Sequence, residues 1–119
     1  MKPVGEKTVI ALDVGGTLMK GAVFDPAMNV LAETSWPTSR HLGPDAVVKA
    51  VLTALEDLAG HPSARTATAA GLVVPGMVDA QTGTAVWSEN LGWTDVPFTE
   101  LATARTGLPV AFEIGRAHV

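Results

Sequence analysis

Three short apolar runs at the start of the chain predict three strands. Apolar residues dominate positions 8–14, 19–24 and 30–36, and the segments between them are rich in glycine, proline and aspartate. Turns as short as these join neighbouring strands in an antiparallel arrangement. The sequence therefore predicts a three-stranded meander, which ends at Pro37 and the polar residues behind it.

A helical period of apolar residues begins after Gly43. Proline and aspartate at positions 44 and 45 are typical of a first helical turn, and Gly60 is a typical helix end. The apolar residues of one face are Val47, Val48, Val51, Leu52, Leu55 and Leu58. Because such positions recur every three or four residues, they predict an amphipathic helix between the two glycines.

The second half of the chain predicts alternating strands and helices. The apolar run 67–74 predicts a buried strand that ends before Gly76, and residues 77–92 are predicted to form a long irregular loop. A second helix is predicted to begin around Asp95, and a last strand to cover 108–112. The order βββαβαβ is typical of an α/β fold with a mixed sheet, in which ligands bind at the carboxyl ends of parallel strands.

Composition and charge narrow the class of protein. The chain has 119 residues, of which 47% are hydrophobic and 17% charged, and this suits one globular domain with a core. The net charge of −4 without a basic run argues against a nucleic-acid surface, and the absence of cysteine excludes disulfides and thiolate metal sites. Asp13 interrupts the first apolar run, which is therefore neither a signal peptide nor a membrane span. We expect a soluble, cytoplasmic protein with small-molecule partners.

Residues 13–17 carry the first candidate chemistry. Glycine amides in a tight turn form a concave nest for anions, the Thr17 hydroxyl adds a donor, and the Asp13 carboxylate can hold Mg²⁺ directly or through water. Together these groups suit the phosphates of a nucleotide. A plain Gly-Gly hairpin turn, with Asp13 as a turn former, accounts for the same residues, so the motif by itself leaves both interpretations open.

Three motifs together resemble those of the ROK family, which contains sugar kinases and related repressors. They are DVGGT at positions 13–17, PGMVD at 75–79 and NLGW at 90–93, with VPFTEL behind the last one. The resemblance covers about positions 8–112. With the order of the elements, it implies the small N-terminal domain of the actin-like, ribonuclease H-like ATPase fold. The last third is most similar to bacterial glucokinases.

The resemblance implies an ATP- and Mg²⁺-dependent hexose kinase, a glucokinase, that transfers the γ-phosphoryl group to the sugar 6-hydroxyl. The residues implied for the ATP phosphates and the water shell of Mg²⁺ are Asp13, Gly15, Gly16 and Thr17. Gly76 would lie along the sugar, and Asn90 would hydrogen-bond its hydroxyls. Leu18 departs from the lysine or asparagine of many family members, so no polar phosphate contact is expected there, and strand alternation could direct Lys20 away from the ligand.

The catalytic base of the family is an aspartate just after the strand at 108–112, and here no aspartate follows Asp95. Residues 1–112 are therefore expected to be a truncated small domain that is inactive by itself, and the family's zinc site would belong to the absent C-terminal part.

Residues 113–119, EIGRAHV, match what a common sequencing-adapter read encodes, and we predict a non-native tail there. The resemblance also implies a homo-oligomeric parent, while the hexose and the choice between ATP and polyphosphate stay open.

Two other functions are compatible with the motifs. A sugar-responsive repressor of the family would carry a DNA-binding helix-turn-helix before the first strand, and only seven residues precede Thr8. A sugar-binding protein without transfer chemistry would keep the same turn and Asn90. A catalytic aspartate downstream of Phe112 would distinguish the kinase from both.

Other residues with possible chemistry are assigned to loops or packing. The three histidines lack the spacing of a metal site and are expected on the surface or in loops. They are His41, His61 and His118. Trp87 and Trp93 flank Asn90 and either line a sugar pocket or pack under the loop. Asp79 is expected to make a turn with Gly83.

Overall fold

Two sheets and two α-helices make up the part of the chain that the structure describes, residues 7–114. The elements of this computed structural model are β1 (Thr8–Val14), β2 (Leu18–Phe24), β3 (Val30–Pro37), α1 (Pro44–Ala59), β4 (Ala67–Val74), β5 (Met77–Asp79), β6 (Thr84–Trp87), β7 (Thr94–Val96), α2 (Phe98–Thr106) and β8 (Val110–Ile114). Short 3₁₀ turns at Arg40–Leu42 and Pro62–Ala64 lie before and after α1. The predicted mixed α/β architecture is confirmed.

The larger sheet has five strands in the order β3-β2-β1-β4-β8. β1 pairs antiparallel with β2, and β2 pairs antiparallel with β3, as the short turns predict. β4 runs parallel to β1, and β8 runs parallel to β4. The carboxyl ends of β1, β4 and β8 therefore meet at one edge of the sheet, where the turn between β1 and β2 also lies.

Both helices pack on the same face of this sheet, and the core lies between them and the strands. α1 begins after Gly43 with proline in its first turn, and it ends at Gly60, as predicted. Its buried residues are Val47, Val51, Leu52, Ala54, Leu55 and Leu58. Under α2, the rings of Phe98 and Phe112 lie with their centroids 5.9 Å apart. Within residues 7–114, neither helix is long and apolar enough to cross a membrane.

The segment 77–92 is folded into part of a second sheet, so the prediction of an irregular loop is wrong. β5, β6 and β7 form a three-stranded antiparallel sheet. Strands of three or four residues are too short for alternation to reveal them. The turn between β5 and β6 is the expected one, because the Asp79 carboxylate accepts hydrogen bonds from the N–H groups of Gln81 and Thr82, and the Gly83 N–H donates to the Asp79 carbonyl.

The second helix and the last strand both begin later than predicted. α2 starts behind Pro97 and not at Asp95, because β7 uses the residues before it. β8 begins after Pro109 and not at position 108, since proline has no N–H for the strand ladder and only its carbonyl pairs, accepting from Ala70. β8 extends to position 114 and so includes the backbone of the first two residues of the predicted non-native tail. Positions 115–119 of that tail lie outside the described residues.

Candidate functional site

The turn between β1 and β2 closes through Gly15 and, within residues 7–114, leaves two amides without a protein acceptor. The Gly15 N–H donates to the Leu18 carbonyl oxygen at 2.9 Å, and a Cβ at position 15 would lie 2.6 Å from that same oxygen. A side chain therefore does not fit there. Within residues 7–114, no hydrogen bond uses the N–H groups of Gly16 and Thr17. Both amides are therefore available to a bound group, and the anion nest at these residues stays a prediction.

Thr38, the residue directly after β3, stabilises this turn with two hydrogen bonds. Its hydroxyl donates to the Gly15 carbonyl oxygen at 2.8 Å, and its N–H donates to the Thr17 carbonyl oxygen at 2.9 Å. The residue is fully buried. The sequence shows Thr38 only as one of the polar residues that end the meander, because a single threonine after a strand carries no distinguishing pattern. Its role is visible only in the structure.

A compact loop between β6 and β7 presents Asn90 at its tip. The Ser88 N–H donates to the Trp93 carbonyl at 3.2 Å, and the Gly92 N–H donates to the Ser88 carbonyl at 2.8 Å. The buried Ser88 hydroxyl oxygen accepts a third hydrogen bond from the Leu91 N–H at 3.2 Å. These bonds fix the loop backbone on both sides of Asn90, whose own side chain stays exposed.

Asn90 reaches across to the β1–β2 turn. A Cβ at Gly16 would lie 2.5 Å from Asn90 Nδ2, so the absence of a side chain at position 16 creates the space that the amide occupies. Asn90 Oδ1 accepts a hydrogen bond from the Arg40 guanidinium. The structure therefore brings together the residue predicted for the sugar and a residue predicted for the phosphates.

Gly76 lies behind the Asn90 loop. Its φ of 99° is in the left-handed region, and a Cβ there would overlap the Trp87 carbonyl oxygen and the Ser88 Cα. Close approach of the two backbones therefore requires glycine at this position whether or not a sugar lies beside it. The contact between Gly76 and a sugar stays a prediction.

Asp13 is the last residue but one of β1 and lines a neighbouring cleft. It stands directly opposite Lys20 in the antiparallel pair, and both residues line a cleft of about 390 Å³. Residues 7–114 hold no group of three or more His, Asp or Glu side chains that could bind a metal. Mg²⁺ keeps several waters and is commonly held by one or two carboxylates together with substrate phosphates. The exposed Asp13 carboxylate fits this requirement. Asp13 is not among the residues that line a second cleft, the Gly16 cleft, which contains Gly16 and Thr17 and has a volume of about 370 Å³.

The other candidate residues separate into packing and surface positions. Trp93 is buried and meets Phe98 edge to face, with ring centroids 5.0 Å apart, so it packs under the loop. Trp87 is 48% exposed. His61 accepts a hydrogen bond from the Ser63 N–H at 3.0 Å, and His41 is an exposed residue beside the turn. His118 lies outside the described residues.

The fold and these motifs define a member of the ROK family. The ROK family model matches residues 9–115, and the chain therefore belongs to the ROK family. The glucokinase of Streptomyces coelicolor is 34% identical over 105 residues, which are 87% of this chain and 31% of that protein. A ROK family glucokinase from Streptomyces griseus, crystallised with glucose and AMPPNP, has a TM-score of 0.75 at 27% identity, covering 90% of this chain and 33% of that chain. The chain has the actin-like ATPase fold of these sugar kinases.

Regulators of the family share this fold. A ROK family transcriptional regulator, a homologue of the E. coli MLC protein, has a TM-score of 0.81 at 18% identity, covering 92% of this chain and 28% of that chain. At this level of identity, the likeness shows the fold alone. The chain spans about a third of the length of the glucokinases that it matches.

Proposed function

We propose that residues 1–112 are the N-terminal portion of an ATP- and Mg²⁺-dependent hexose kinase of the glucokinase type. One observation carries the proposal: Asn90, the expected sugar ligand, lies against Gly16 of the expected phosphate-binding turn. Phosphoryl transfer requires the acceptor hydroxyl and the donor phosphate to be held next to each other. The 34% identity to a glucokinase supports the same reaction.

The residues of this chain would act by positioning and charge neutralisation. The amides of Gly16 and Thr17 would donate hydrogen bonds to the donor phosphates, and the Asn90 side chain would orient the sugar hydroxyls. Asp13 would hold Mg²⁺ through its water shell, and the ion would neutralise charge on the transferred phosphoryl group. Both polar backbone groups of Gly15 already have protein partners, so Gly15 would serve by shaping the turn.

The proposal places the general base outside this chain. An aspartate that takes the proton of the sugar hydroxyl is expected after β8, and such a base contributes about 10²–10⁴-fold to the rate. The second wall of the cleft would also come from the remaining part of the kinase. We therefore propose that residues 1–119 alone do not phosphorylate hexoses. The family resemblance supports a cytoplasmic, homo-oligomeric parent enzyme.

A coupled sugar-phosphate assay tests this proposal. The full-length protein that contains this chain is expected to phosphorylate a hexose, with glucose and mannose as the first candidates, and residues 1–119 alone are expected to show only background. Turnover by residues 1–119 would overturn the assignment of the base. Sugar-dependent DNA binding by the full-length protein, without phosphorylation of any hexose, would identify a repressor instead.

A further inference from the structure

Arg40 lies between the phosphate-binding turn and the Asn90 loop, and none of the three family motifs contains it. Its guanidinium donates to Asn90 Oδ1, and a Cβ at Gly16 would lie 3.9 Å from Arg40 Nη1. The residues that line a cleft of about 370 Å³ at this point are Gly16, Thr17, Pro37, Ser39, Arg40 and His41. The cleft is therefore lined by Arg40 and by the two turn residues whose N–H groups have no acceptor within residues 7–114.

The charge of Arg40 is not neutralised by the residues around it. It donates a hydrogen bond to the neutral amide of Asn90, and within residues 7–114 no carboxylate forms an ion pair with it. A guanidinium has five N–H donors, so one bond to Asn90 leaves most of them available. Arginine binds phosphate oxygens through paired hydrogen bonds in a fixed planar geometry. The group is suited to an anion in this cleft.

The backbone before Arg40 is fixed relative to the turn. Thr38 is fully buried and is bonded to the carbonyl oxygens of Gly15 and Thr17. Ser39 follows with a φ of 59°, in the left-handed region, and this reverses the chain into the short 3₁₀ turn that begins at Arg40. Only Ser39 thus separates Arg40 from the anchored Thr38, and the Arg40 guanidinium lies beside Gly16.

The turn has no positive charge of its own. Leu18 is 43% exposed and apolar, so it offers no contact to an anion. Lys20 lines the other cleft, together with Asp13, and is not among the residues around Gly16 and Thr17. Within the described part of the chain, Arg40 is therefore the permanently charged cation of the Gly16 cleft.

We propose that Arg40 binds the outer phosphate of the phosphoryl donor, together with the amides of Gly16 and Thr17. This assignment rests on the proposed kinase function and adds a phosphate-binding residue that the motifs do not contain. The chemistry recognised is a terminal phosphate of a linear chain, which ATP and inorganic polyphosphate both present. The hydrogen bond to Asn90 would at the same time join the phosphate group to the sugar-binding loop.

Kinetics of Arg40→Gln in the full-length protein test the assignment. The KM for MgATP is expected to rise about tenfold, because a hydrogen bond from a charged donor is lost, while the KM for the sugar changes less than twofold. Arg40→Lys keeps the charge and is expected to restore part of the affinity. Arg65→Gln, at an exposed loop arginine, is the matched control and is expected to leave both constants unchanged. Replacing MgATP by polyphosphate in the same assay identifies which donor the site uses.

Three results would overturn the assignment. A raised sugar KM with an unchanged MgATP KM would show that Arg40 only positions Asn90, and unchanged values of both would make it a surface residue. Binding of inorganic tripolyphosphate, measured by calorimetry, separates this proposal from the kinase proposal. Tripolyphosphate affinity that is independent of Arg40 would refute the site even in an active kinase. Affinity that falls about tenfold in Arg40→Gln would support it even if no hexose is phosphorylated.

Discussion

The Thr38 hydroxyl donates a 2.8 Å hydrogen bond to the carbonyl oxygen of Gly15. With the bond from the Thr38 N–H to the Thr17 carbonyl oxygen, it ties the end of β3 to the turn between β1 and β2. Both bonds are shielded from water because Thr38 is fully buried. The shape of this turn, which we propose as the phosphate site, therefore depends on a residue outside the DVGGT motif.

Replacing Thr38 by valine tests this dependence. The substitution keeps the volume but leaves the Gly15 carbonyl oxygen without its partner, so the free energy of unfolding is expected to fall by about 1–3 kcal/mol. Urea denaturation of the chain measures the change. Thr68→Val is the control, because the exposed Thr68 hydroxyl lies 3.5 Å from its acceptor and contributes little to stability. This variant is expected to change the free energy of unfolding by less than about 0.5 kcal/mol. Equal losses in the two variants would contradict the role of Thr38.

The two glycines of the turn are expected to respond differently to alanine. A Cβ at Gly15 would meet the backbone oxygen of Leu18, which cannot move aside, so Gly15→Ala is expected to cost about 1–3 kcal/mol of stability. A Cβ at Gly16 would meet the end of the Asn90 side chain, which can rotate away. Gly16→Ala is therefore expected to change stability by less than about 1 kcal/mol and to raise the sugar KM of the full-length protein.

Thermal unfolding and sugar kinetics of the two variants together check this difference. A loss of stability in Gly16→Ala equal to that in Gly15→Ala would show that the Asn90 loop is rigid. An unchanged sugar KM in Gly16→Ala would separate Asn90 from sugar binding.

The sequence predicts the strands of the main sheet and the helices packed on it well, because these elements are long enough to show a pattern of apolar residues. The apolar faces of β1 and α1, and the glycines before and after α1, were visible as patterns. The second sheet was missed, since strands of three or four residues show no period and the turn residues between them resemble a loop. At the site, single motifs indicated Gly16 and Asn90, and only the folded chain shows that they touch. Thr38 and Arg40 have no sequence signal, because their roles depend on contacts with residues distant in the sequence.

Asp13 is expected to be essential for turnover and dispensable for sugar affinity. Asp13→Asn in the full-length protein keeps the size of the side chain but removes the charge that would position Mg²⁺, so kcat is expected to fall on the order of a hundredfold or more. Asp45→Asn, at an exposed position in the first turn of α1, is the matched control with an expected change of less than twofold. Initial rates at saturating glucose and MgATP measure the effect. Near-normal turnover in Asp13→Asn would show that Asp13 is only a turn residue.

Asn90 is expected to determine sugar affinity. Asn90→Ala removes the amide that would bond the sugar hydroxyls, and the loss is expected to weaken hexose binding by about 1–3 kcal/mol. The loop itself should persist, because its backbone is held by Ser88, Leu91 and Trp93 and not by the Asn90 side chain. The measurement is the sugar KM of the full-length protein at saturating nucleotide, with the exposed neighbour Glu89→Gln as the control. If the sugar KM is unchanged while kcat collapses, Asn90 belongs with Arg40 to the phosphate-binding group, and the sugar must be held by other residues.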